Sequence, residues 1–81
     1  MKRLYSQRFL RGYREAPAPI QKAFDRKANL LLQNLRHPSL RAKKRDEARD
    51  IWQARVTRDW RFYFRIVGDT YVFLDLIPHP K

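Results

Sequence analysis

The stretch Trp52 to Val67, WQARVTRDWRFYFRIV, alternates large apolar side chains with arginine and tyrosine. Such period-two spacing is that of a half-buried strand. Trp52, Ala54 and Val56 share one parity, with Gln53, Arg55 and Thr57 on the other. After Arg58 and Asp59 the pattern resumes, with Trp60, Phe62, Phe64 and Ile66 opposed to Arg61, Tyr63, Arg65 and Val67. One face calls for a core, and the other carries positive charge. Guanidinium groups bind phosphate bidentately and stay charged at physiological pH, while aromatic faces accept stacked bases. A sheet face bearing both suits single-stranded RNA. Its 2′-hydroxyl can attack the neighbouring phosphate if one group removes its proton and others stabilise the phosphorane, and no metal is required.

The elements that must position these residues are legible from spacing. VGDT supplies a Gly-Asp hairpin turn before a last strand, YVFLDLIP. Parity predicts Val72, Leu74 and Leu76 inward, with Tyr71, Phe73, Asp75 and Ile77 on the arginine face and Asp75 as an ion-pair partner for Arg55 or Arg61. Near the N-terminus, RLY reads as a short strand, and Ser6 is placed to cap a helix carrying Phe9, Leu10 and Tyr13. APAP at 16 to 19 interrupts that helix, and a second begins at about Pro19. Ile20, Phe24, Ala28, Leu31 and Leu35 recur at helical spacing until Pro38 disfavours further helix, with His37 a charge partner for its C-terminal end.

Residues 39 to 50, SLRAKKRDEARD, read as a charged connection. The predicted architecture is α+β: an N-terminal strand and two helices packed on one face of an antiparallel β-sheet meander, in a single domain spanning residues 1 to 81. Its core is expected from Trp52, Val56, Trp60, Phe62, Phe64, Val72, Leu74 and Leu76 against Phe24, Leu31 and Leu35.

Composition narrows the chemistry. Nineteen Lys and Arg against eight Asp and Glu give a net charge of +11, which draws polyanions in by long-range steering. Nucleic acid, an acidic protein or an anionic membrane each supplies the counter-charge. The absence of cysteine rules out thiol chemistry, and two histidines far apart in sequence make no zinc centre, so no metal or cofactor is expected. No stretch reaches the roughly 18 apolar residues of a membrane span and no signal peptide is legible, so the expected location is cytoplasmic, away from membranes.

The order helix, helix and three-strand meander, with WQARVTRDWRFYF and a terminal IPHPK, resembles the RelE/ParE superfamily of toxins from type II toxin-antitoxin systems, which share a microbial-RNase-like fold. The likeness covers essentially the whole chain. It rests on Arg55 in one strand, the WRFYF run in the next and a histidine after the last. The resemblance implies a toxin that enters the ribosomal A site and cuts mRNA, inhibited by a cognate antitoxin through an acidic, helical segment. By the same resemblance Arg55 and Arg61 contact the scissile phosphate, His79 serves in proton transfer, and Lys43, Lys44 and Arg45 lie where other members carry functional lysines. The alternation adds Tyr63, Arg65 and Tyr71 as RNA contacts.

Two departures matter. Pro80 and Lys81 follow His79 where relatives carry a tyrosine, and the segment before the meander is basic around RAKKR where some members place a glutamate base. Two other readings stay open: a ParE-like inhibitor of DNA gyrase, and a non-catalytic module that binds RNA or an antitoxin.

Overall fold

The computed structural model of the protein describes residues 2 to 79. Its elements run β1 (Lys2–Tyr5), α1 (Gln7–Glu15), α2 (Ala18–Gln33), a 3₁₀ turn (Pro38–Leu40), β2 (Lys43–Asp46), β3 (Ile51–Thr57), β4 (Trp60–Val67) and β5 (Thr70–Pro78). The strands form one sheet in the order β1-β5-β4-β3-β2. The predicted meander is β3-β4-β5, antiparallel throughout. Two strands extend it: β1 joins β5 in parallel, and β2 joins β3 antiparallel. The segment read as a charged connection thus contains the 3₁₀ turn and an edge strand. With Leu40 its one large apolar residue, it carried no alternation by which a strand shows itself.

Both helices cover one sheet face. Ser6 caps α1 by accepting the Phe9 amide at 3.0 Å, and its own hydroxyl donates to the Leu74 carbonyl at 2.8 Å. Pro17 leads into α2 from a position where its missing amide costs nothing. That helix stops at Gln33 rather than running on towards Pro38. His37 consequently caps the 3₁₀ turn, its Nδ1 accepting from the Ser39 amide at 3.2 Å, instead of serving as a partner for the end of α2.

The core is an aromatic cluster. Phe24 of α2 lies 5.1 Å from Phe62, 5.5 Å from Phe73 and 4.9 Å from Phe9 of α1, measured between ring centroids. Edge-on and tilted pairs of this kind each add about 0.5–1.5 kcal/mol beyond the area they bury. Of the expected core, Val56, Phe62, Phe64, Leu76, Phe24 and Leu31 are buried, and Trp52, Trp60 and Leu35 pack around them partly exposed.

Val72 and Leu74 do not join the core. Tyr63 pairs with Asp75 and Phe64 with Phe73, so Leu74 is the extra residue of a bulge in β5. A bulge reverses the side-chain alternation beyond it. Tyr71 and Phe73 therefore point inward, at 5% and 0% exposure, and Val72 and Leu74 are left half-buried. The Ser6 hydroxyl on the Leu74 carbonyl and the Phe73 carbonyl accepting the Ser6 amide at 2.9 Å satisfy the backbone at that irregularity.

Where α1 crosses β5, Gly12 lies against the Leu76 carbonyl. A Cβ at Gly12 would sit 2.5 Å from that oxygen, so the close approach requires the hydrogen.

Candidate functional site

The sheet face turned away from the helices carries the predicted arginines. Arg55 and Arg61 are direct cross-strand partners, and Gln53 and Tyr63 form the next rung along the same face. A bulge at Val56 and the turn through Arg58 and Asp59 bring the Arg61 side chain back over the hairpin. Its Nη1 donates to the carbonyls of Thr57 at 2.7 Å, Arg58 at 3.0 Å and Trp60 at 3.0 Å. Arg61 is therefore held by the turn it follows.

Gln53, Arg55 and Arg61 are part of the wall of a cleft of about 370 Å³, together with Arg41, Lys43, Arg45 and His79. The edge strand β2 contributes Lys43 and Arg45, the latter being the extra residue of a third bulge. Arg41 enters from the end of the 3₁₀ turn, where its backbone adopts the left-handed conformation at φ 47°. His79 is fixed by its backbone: its amide donates to the Asp59 carbonyl at 2.7 Å, one step beyond the pairing of Trp60 with Pro78. The structure thus brings Arg55, Arg61, His79, Lys43 and Arg45 to one cleft.

The electrostatics are lopsided. Five cationic side chains line the cleft and, among the described residues, no carboxylate does. Burial lowers the pKa of Arg61 below its ordinary value, and Arg55 and Arg41 add repulsion in the same direction. A guanidinium remains charged regardless. The same field reaches Lys27, whose pKa burial lowers first and Arg55 second. This concentration of positive charge is suited to a phosphate backbone, and His79 is the imidazole among the described lining residues.

Other expected contacts lie elsewhere. Lys44 points to the opposite side of β2, where its ammonium meets Asp50 at 2.8 Å and Glu47 at 3.9 Å and stands 5.4 Å from the centre of the Trp52 ring. The hydrogen bond with Asp50 raises its pKa. Tyr71 is a core residue, turned inward by the β5 bulge; its hydroxyl donates to the Leu31 carbonyl at 3.5 Å, and burial raises its pKa. A base cannot stack on it there. Tyr63 is half-buried beside the cleft, and its hydroxyl donates to Gln53 Oε1 at 3.1 Å.

Arg65 belongs to a second, larger depression on the same face, about 570 Å³, shared with Arg8, Arg49, Ile51 and Leu74. Two of its three arginines already meet carboxylates, Arg8 with Asp75 at 3.1 Å and Arg49 with Asp46 at 3.8 Å. Size does not decide the site here; uncompensated charge with a histidine does. The Arg8 pairing also corrects the expectation that Asp75 neutralises Arg55 or Arg61. Two lining residues had no signal in the sequence: Arg41, whose backbone turn places it, and Gln53, an uncharged residue on the arginine parity.

No family model matches the chain, and no curated protein matches it. Solved structures do. The YoeB/ParE toxin from Agrobacterium tumefaciens superposes with a TM-score of 0.83 at 14% identity, covering 99% of this chain and 100% of that one. The isolated E. coli RelE toxin gives 0.79 at 13% identity over 99% of this chain and 85% of its own. The RelB-RelE antitoxin-toxin complex from Methanococcus jannaschii gives 0.74 at 19% identity, covering 93% and 88%. The fold is that of the RelE/ParE toxins.

Proposed function

We propose that this chain, built on the RelE/ParE toxin fold, is the toxin of a type II toxin-antitoxin pair and acts as a metal-independent endoribonuclease on ribosome-bound mRNA. The observation that carries this reading is the cleft itself: Arg55 and Arg61 on one rung, His79 beside them, basic side chains around them and no lining carboxylate among the described residues. An inhibitory antitoxin partner is supported by the antitoxin complexes among the structural neighbours.

In the proposed reaction, Arg55 and the free guanidinium nitrogens of Arg61 hold the non-bridging oxygens of the scissile phosphate. Lys43, Arg45 and Arg41 steer the flanking backbone. The ribose 2′-oxygen passes its proton to solvent water in the open cleft and bonds to phosphorus, and the bond to the 5′-oxygen breaks, leaving a 2′,3′-cyclic phosphate. His79 delivers the proton that the departing 5′-oxygen takes up. The arginines act where negative charge grows, which makes their contribution larger in the transition state than in the bound substrate.

The test is to supply ribosomes programmed with a defined mRNA and map new 5′ ends, with EDTA added to a parallel reaction on free RNA. Ends clustered at the A-site codon, lost with Arg55→Ala, support the reading. Arg55 is the better probe, because Arg61→Ala also removes three hydrogen bonds from the β3–β4 turn. Folded protein that produces no new ends, yet inhibits gyrase supercoiling, would replace the ribonuclease with a gyrase poison.

A further inference from the structure

Gln53 is an uncharged residue on the floor of a cationic cleft and is 7% exposed. Its Oε1 accepts the Tyr63 hydroxyl at 3.1 Å. Its Nε2 has no hydrogen-bond partner among the described residues. No buried side-chain nitrogen or oxygen among them is left unpaired, so Nε2 reaches the open space that Gln53 lines. With the phenol donating to Oε1, the two N–H donors face away from Tyr63. Arg55 and Arg61 form the adjoining rung on the same face, two residues away along each strand, about 6.6 Å by strand geometry.

We infer that Gln53 touches the substrate, donating from Nε2 to a non-bridging phosphate oxygen beside the Arg55 and Arg61 pair, and that Tyr63 is its positioning residue. The inference rests on the ribonuclease reading above. A neutral donor fits this position physically. Five cations already press on one another there, and a sixth charge on the buried floor would add both repulsion and desolvation. An amide supplies the hydrogen bond without the charge. Tyr63 then acts through Gln53, and no base needs to stack on it.

The two roles for Tyr63 separate experimentally. The measurements are cleavage rate and the salt dependence of binding to a single-stranded RNA oligonucleotide made non-cleavable by a 2′-deoxy substitution at the cut. Tyr63→Phe keeps the ring and loses only the hydroxyl. It is expected to slow cleavage about tenfold, and in a Gln53→Leu background to have no further effect, since coupled residues are non-additive. Gln53→Leu should weaken binding with the salt slope unchanged, whereas Arg55→Gln lowers that slope by about 0.7, one phosphate contact on a single strand. Gln53→Glu keeps the acceptor for Tyr63 and places a negative charge at the phosphate, so it should fold with a Tm no lower than that of Gln53→Leu and lose cleavage by more than Gln53→Leu.

Cleavage by Tyr63→Phe at the wild-type rate, or losses that multiply in the double variant, would overturn the assignment. So would wild-type cleavage by Gln53→Leu or Gln53→Glu, while leaving the ribonuclease reading intact. Wild-type protein that neither binds nor cuts RNA would overturn both.

Discussion

Arg55 and Arg61 stand directly opposite each other across β3 and β4, two like charges on one rung with no carboxylate lining the cleft around them among the described residues. Asp75, the acidic residue on the neighbouring strand, is engaged by Arg8. Like charges in this position oppose strand pairing. The repulsion is relieved when an anion lies between them, so the fold and the proposed substrate are linked through this rung.

Arg55→Gln should therefore stabilise the free protein by about 0.2–1 kcal/mol while lowering cleavage by about a hundredfold. Thermal unfolding with and without a phosphate polyanion checks the linkage. The polyanion is expected to raise the Tm of the wild type more than that of the variant, because only ligand binding to the native state contributes.

The basic tripeptide Lys43, Lys44 and Arg45 should divide by strand side. Lys43→Ala and Arg45→Ala are expected to reduce RNA affinity and its salt dependence, since both line the cleft. Lys44→Ala should leave RNA binding unchanged and lower the Tm slightly, through loss of Asp50 and the Trp52 ring. Equal losses of RNA affinity for all three would show that the charge acts without regard to face.

Alanine normally favours a helix over glycine by about 1 kcal/mol. At Gly12 the sign should reverse, because the added methyl meets the Leu76 carbonyl. Gly12→Ala is expected to destabilise by about 1–3 kcal/mol, read as a lower midpoint in urea.

Burial raises the pKa of Tyr71 above the ordinary tyrosine value of 10.0. A group whose pKa is raised on folding contributes stability that is fully present below its unfolded pKa and is lost as pH climbs through the folded one. Unfolding should therefore set in at alkaline pH, above about 10, as tyrosine ionises. Tyr71→Phe removes the titrating hydroxyl and should shift that limb to higher pH. A pH titration of both proteins followed by circular dichroism checks it.

Much of this was legible in the sequence where side chains alternate without interruption. From Trp52 to Ile66 the parity separated the side packed on the core from the side that carries Arg55 and Arg61, although Gln53 on the latter is buried too. The assignment failed at Val72, Leu74 and Tyr71, because one extra residue in β5 reverses the alternation and no residue type announces it. That bulge is stabilised by Ser6, nearly seventy residues upstream. The β2 edge strand was missed for a different reason: a strand exposed on its residues, as Lys43, Lys44 and Arg45 are, has no apolar face to display a period. Arg41 and Gln53 entered the cleft through backbone placement, which composition does not encode.

The parallel pairing of β1 with β5 also has a temporal meaning. Strands β2 to β4 are neighbours in sequence and can pair as they are made, but β1 has no sheet to join until residues 70 to 73 exist. The same late segment carries Phe73 into the aromatic cluster and leads to His79, whose backbone N–H donates to the Asp59 carbonyl and so holds it in the cleft wall. The β1–β5 pairing thus closes a loop of about seventy residues, the kind of long-range contact that slows folding. The Arg55 and Arg61 rung can therefore pair before the cleft around it is complete, which waits for the segment that carries His79.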